Sequence, residues 1–161
     1  MLKRVIPIVV ILAGSFSGFA QNKVYVSPHR ELRVSIIPVG ANGYEAYESC
    51  IEIRNFRGRL LSRRSFASPD HSHGEGVGHA EWSSDGQFFV FNTFSSGGHQ
   101  PWHVSTYFYS VRSNKLYSLD AFVGPVTADF KLEAHNIVST TRFNLHDKDK
   151  NAVNVRLDNW R

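Results

Sequence analysis

The chain of 161 residues contains one cysteine, one methionine and little excess of either charge. A lone Cys50 excludes any intramolecular disulfide and any cysteine-based zinc site, so stability must come from a packed core. No apolar run reaches the ~20 residues needed to span a bilayer. There is no glycine-rich phosphate loop, no Gly-x-Ser-x-Gly elbow and no His-Glu-x-x-His, so the common nucleotide-binding, serine-hydrolase and zinc-peptidase signatures are missing. A sustained helical period is missing as well, and so is any low-complexity linker.

The first twenty residues read as a secretory signal peptide. Lys3 and Arg4 give a positive start, residues 5–13 an apolar stretch, and Gly18-Phe19-Ala20 a small-x-Ala exit. Cleavage after Ala20 would leave 141 residues, 21–161, as a single β domain in the periplasm or the extracellular medium. Ser15 stands where a lipoprotein would carry its acylated cysteine, so a free protein is expected. Of 18 basic residues Lys3 and Arg4 leave with the leader, so 16 face 14 acidic ones, too even a balance to suggest nucleic acid as a partner. The one local excess is Arg54, Arg57, Arg59, Arg63 and Arg64. It reads either as a solvated hairpin with basic edges or as a salt-sensitive patch for anionic glycans or lipid head groups. Cys50 lies in an apolar strand-like run and is expected to be buried.

Period-two alternation with β-branched and aromatic residues recurs along the rest of the chain. Strands are expected near 23–26, 33–39, 47–55, 60–66, 77–83, 87–94, 104–112, 115–119, 128–132, 136–145 and 152–157, separated by Gly, Asn, Asp and Ser turns. The fold class is all-β, with ten to eleven short strands in antiparallel meanders of blade-like hairpins forming a compact sandwich or a partial propeller. On the strand at 104–112, Tyr107 and Tyr109 should face one way and Phe108 the other.

Sliding the chain by 48 residues aligns Glu81-Trp-Ser-Ser-Asp-Gly-Gln-Phe-Phe-Val90 with Asp129-Phe-Lys-Leu-Glu-Ala-His-Asn-Ile-Val138. Each block reads as strand, acidic tight turn and apolar strand. The segment His79-Ala-Glu-Trp-Ser-Ser-Asp-Gly-Gln-Phe-Phe-Val-Phe91 resembles the opening of a blade in TolB-like, WD-repeat-like β-propellers, with Ser84 in the place of a proline. A looser likeness extends over residues 79–120. The resemblance implies a four-stranded meander with Asp85-Gly86 as a two-residue hairpin turn and Trp82 as an inward anchor. A closed propeller needs about four such blades. This chain has strands for fewer than three, which leaves a sheet stack, a blade pair capped by the N-terminal strands, or closure by several chains.

Meander connectivity sends 67–76, 95–103 and 121–127 to one end and the shorter turns to the other. Five of the eight histidines fall within 33 residues of this region. His79, His99, Gln100, Trp102 and His103 are therefore the candidate binding residues, with Trp102 either an aromatic platform or folded back over the core. His71 and His73, alternating on a strand-like segment, would aim both rings to one side, and with His99 and His103 they form a candidate set for zinc or copper. The spacing matches no standard metal motif, so the default expectation is no cofactor. Glu75, Glu81 and Asp120 are candidates for a glycosidase carboxylate pair. Asp147-Lys-Asp149-Lys-Asn151 matches the start of a calcium loop but has Ala152 where glycine is required, so a charged hairpin turn is the better account. The expectation is a monomeric or small homo-oligomeric binding module, not an enzyme, that engages a protein or a glycan of the cell envelope. The alternative is a metal-binding protein or metal-dependent hydrolase built on the same histidines.

Overall fold

The computed structural model describes residues 22–40, 48–96, 103–144, 146 and 148–160. The proposed leader lies outside this range. Eleven strands form three open antiparallel sheets, and in each every strand pairs with its neighbour in sequence. The first sheet holds β1 (Lys23–Val26), β2 (Leu32–Val39), β3 (Glu48–Asn55) and β4 (Leu60–Ser65). The second holds β5 (Glu75–Trp82), β6 (Phe88–Ser95), β7 (Thr106–Ser110) and β8 (Lys115–Ser118). The third holds β9 (Lys131–Glu133), β10 (Ile137–Phe143) and β11 (Lys150–Arg156). None of the three closes on itself among the described residues.

The second sheet is buried on both faces. Along β6, Phe89 and Phe91 join Val34, Ile36, Ile51 and Ile53 of the first sheet in one apolar cluster. Phe88 and Val90 join Val138, Val155 and Leu157 in another, with Val126 and Phe130 from the connection into the third sheet. Tyr107 and Tyr109 pack with the first cluster and Phe108 with the second, as the alternation requires. Six consecutive residues of β6, Phe88 to Thr93, are buried, apolar over Phe88–Phe91 and then polar at Asn92 and Thr93, whose side chains are hydrogen-bonded. Cys50 is buried too, and its Sγ accepts a hydrogen bond from Arg63 Nε at 3.4 Å.

Two local expectations need correction. Asp85-Gly86 is not a two-residue turn. The connection runs from Ser83 to Gln87, closed by Ser83 N to Phe88 O at 2.8 Å and by Gly86 N to Ser83 O at 2.8 Å. The Ser83 hydroxyl causes the difference: it accepts from Phe88 N at 3.0 Å and donates to Asp85 Oδ1 at 2.7 Å, which holds a wider loop open, with Gly86 at φ +68°. The ninth strand starts later than expected, because Val126 bridges Arg142 and Thr127 N bonds Thr141 O before β9 begins. One helical turn, α1 (Asp120–Val123), is present, and its Asp120 carboxylate accepts from Thr106 N at 2.8 Å and Val126 N at 3.0 Å. Both halves of the 48-residue repeat are antiparallel strand pairs. Their registers differ: Trp82 pairs with Phe89, whereas Leu132 pairs with Val138. No helix among the described residues is long and apolar enough to cross a membrane.

Candidate functional site

The connections expected at one end do meet there. Ser96 N donates to Gly74 O, Thr93 N to Ser105 O, and Val104 N to Val126 O. The anchor of this rim is Glu48 at the start of β3, only 1 % exposed. Its Oε1 accepts from Gly74 N at 2.6 Å, Ser68 Oγ at 2.7 Å and Ser96 Oγ at 3.2 Å, and its Oε2 accepts from Ser68 N at 3.0 Å. Burial pushes the Glu48 carboxyl up, but the donors from Ser68, Gly74 and Ser96 outweigh it and hold it below its ordinary value.

This loop disposes of the paired-histidine geometry. Residues 71–74 are bends outside any strand, and His71 has φ +54°. Asp70 and Ser68 organise the turn: the Ser68 hydroxyl and Ser72 N both bond Asp70 Oδ1, at 2.7 and 3.1 Å. The two rings consequently find different partners. His71 Nδ1 lies 3.5 Å from Glu48 Oε2, and His73 Nδ1 lies 2.6 Å from Asp70 Oδ2. Among the described residues no three histidine, cysteine or carboxylate side chains form a group able to hold a metal ion. His99 of the candidate metal set lies outside the described residues, as do the binding candidates Gln100 and Trp102.

His79 and His103 are brought together. A β-bulge re-aims His79: Val77 pairs with Thr93 and Ala80 with Phe91, which leaves Gly78 and His79 both opposite Asn92. Glycine is required at 78, because a Cβ there would stand 2.7 Å from Asn92 Oδ1. That oxygen accepts from His79 N at 2.9 Å, and Asn92 Nδ2 donates to Asp129 Oδ1 at 2.7 Å. The same carboxylate oxygen accepts from Phe130 N at 2.8 Å and lies 3.0 Å from His79 Nδ1. An ionised carboxylate only accepts, so His79 Nδ1 carries a proton toward Asp129, while Nε2 lies 3.8 Å from Glu81 Oε1. The His79 ring stacks on buried Phe130 with centroids 4.3 Å apart and planes 7° from parallel.

His79 and Asp129 form one side of a cavity of about 260 Å³ whose other walls include Asn92, Phe94 and His103. No family model matches this sequence, and no curated protein and no solved structure matches it either. The reading of the cavity therefore rests on its chemistry. It combines a fixed imidazole, a carboxylate that keeps 61 % of its side-chain surface exposed, an amide, and Phe94 at 40 % exposure. His103 Nε2 bonds Ser105 Oγ at 3.1 Å.

Asn92 and Asp129 are the site residues that the sequence reading missed. A glycine followed by a histidine inside a strand pattern is a bulge signal, and it marked the place. Nothing local marks Asp129, which reaches His79 across 50 residues. The candidate carboxylates each bond different partners. Glu75 accepts from Thr93 Oγ1 at 2.8 Å, Asp120 caps backbone amides, and Glu81 accepts from Leu132 N at 3.3 Å. Of the calcium-loop segment, Asp147 lies outside the described residues, Asp149 O accepts from Asn144 N between β10 and β11, and Lys150 and Asn151 begin β11.

Proposed function

We propose that this protein is an exported binding module whose site is the His79–His103 cavity and whose ligand is a polyhydroxylated unit of an envelope glycan. One observation carries the reading. A bulge in a buried sheet presents an imidazole already fixed by Asp129 and Phe130 to a small open cavity that an exposed phenylalanine flanks. Carboxylate, amide and imidazole groups bond hydroxyls in fixed directions, and an aromatic face covers the apolar side of a sugar ring. The fixed geometry lowers the ordering cost of binding. The even net charge fits a neutral ligand better than a polyanion.

The test is titration calorimetry with neutral oligosaccharides released from envelope preparations. Replacing His79 by Ala should weaken binding at least ~10-fold, the effect of losing about one directed hydrogen bond and its orienting network. Phe94→Ala should act in the same direction, while His135→Ala, at an exposed position of the turn Ala134–Asn136, should change nothing. Wild-type affinity in both cavity variants would end the proposal.

A further inference from the structure

A second surface lies at the β3–β4 hairpin tip and the adjoining β1–β2 turn. Arg30, Arg33, Arg57 and Arg59 are exposed there, and none of them has an ion pair among the described residues. The nearby Glu52 is engaged by Arg54 at 2.8 Å and Arg63 at 3.6 Å. Arg33 stands directly opposite Arg54 in the β2–β3 register, a like-charge placement that costs stability. Three apolar side chains are exposed at the same place: Phe56 at 72 %, Val26 at 53 % and Leu60 at 41 %. The register puts Val26, Arg33, Arg54 and Leu60 in one row across one face of the sheet, with the two arginines between the two apolar side chains.

The tip is also held in place. Asn55 Oδ1 accepts from Arg57 N at 3.0 Å and Arg59 N at 2.9 Å, Arg54 Nη1 donates to Gly58 O at 2.9 Å, and Phe56 N donates to Glu31 O at 2.9 Å. Gly58 takes φ +83° to close the turn. A phenylalanine is thus kept in water at the end of a rigid hairpin, with the Arg57 guanidinium 5.3 Å from its ring.

We propose that this tip docks on an anionic phospholipid bilayer, with Phe56 entering the boundary between head groups and acyl chains and the arginines bonding lipid phosphates. Charge complementarity argues for an anionic surface, and arginine suits phosphate because its donors are forked. The projecting apolar tip argues for a layered one. A bilayer offers phosphate at the level of the arginines and hydrocarbon just below it, whereas a polyanionic glycan leaves Phe56 in water.

The experiment is co-sedimentation of the full chain with vesicles of phosphatidylcholine alone or mixed equally with phosphatidylglycerol. Wild type should bind the mixed vesicles and release at high salt. The Arg57→Gln/Arg59→Gln variant should bind about 30-fold more weakly, and Phe56→Ser about 10-fold. Every form carries residues 1–21 unchanged, so any contribution of the apolar run at 5–13 cancels. The tip is held largely by backbone N–H groups and its substituted side chains are exposed, so a wild-type circular dichroism spectrum is expected of each variant. Equal binding to both vesicle types, or wild-type binding by the variants, would overturn the proposal. So would arginine-dependent binding to a sulfated polysaccharide with none to vesicles.

Discussion

Glu48→Ala should lower the unfolding free energy by roughly 2–4 kcal/mol, because it strands the backbone N–H groups of Gly74 and Ser68, whereas the Ser68 and Ser96 hydroxyls keep Asp70 Oδ1 and Gly74 O as acceptors. Ser68 N, Ser68 Oγ, Gly74 N and Ser96 Oγ all end on that carboxylate. Glu48→Gln keeps the volume but offers one acceptor oxygen and turns an NH2 toward groups that donate, so it should recover only part of the loss. The interaction also has a pH signature. The folded-state pKa of Glu48 lies below its ordinary 4.5, so its contribution is complete above that value. It is lost as the pH falls through the depressed folded value. Asp85 is shifted the same way: burial pushes its carboxyl up, and donors from Asn136, Gln87 and Ser83 more than reverse this. Urea unfolding at neutral pH and below 4.5 checks both statements. The wild type should lose more stability on acidification than Glu48→Gln. If the two lose the same amount, Glu48 does not hold the rim as its charged form.

The β pattern was readable because the central strands bury at least one face: β2 alternates buried with less buried residues over its first half, and six consecutive residues of β6 are buried. Residues 23–26 could be delimited from their β-branched and aromatic composition, and the heart of β6 from the apolar run Phe88–Phe91. What alternation cannot supply is the identity of whatever covers a strand. Asp129 was invisible as a site residue because its partners, His79 and Asn92, belong to another sheet. Only the stacking of the third sheet on the second brings them within 3.0 Å. The misjudged turn at Asp85 has a more local cause, a serine hydroxyl competing with backbone pairing. The paired geometry expected of His71 and His73 failed for a similar reason. Strand alternation applies only where backbone groups pair in a ladder, and there Ser68 and Asp70 capture the amides first.

Truncating the second sheet on either face should be equally damaging. Phe89 and Phe108 are both 0 % exposed. The Phe89 ring meets Tyr25, Trp82 and Phe91, and the Phe108 ring meets Phe88, Tyr117, Phe122 and Trp160. Phe89→Ala and Phe108→Ala should each cost roughly 3–5 kcal/mol, a large share of the ~5–15 kcal/mol that stabilises a typical domain. The more discriminating expectation concerns cooperativity. The two apolar clusters share β6 and β7, so neither can melt while leaving the backbone of the other intact. Both truncations should therefore shift one common transition. The chain carries its own probes, since Trp82 packs on the first cluster and Trp160 on the second. Fluorescence of Trp82→Phe reports on the Trp160 side, and that of Trp160→Phe on the Trp82 side, with Trp102 common to both. Coincident urea midpoints in the two forms, before and after each truncation, are expected of a stack bound through its middle layer. Separate midpoints would mean that the first and third sheets unfold as independent bodies, and a cavity whose walls include His79 of the second sheet and Asp129 beside the third would then lose the rigidity on which the binding proposal depends.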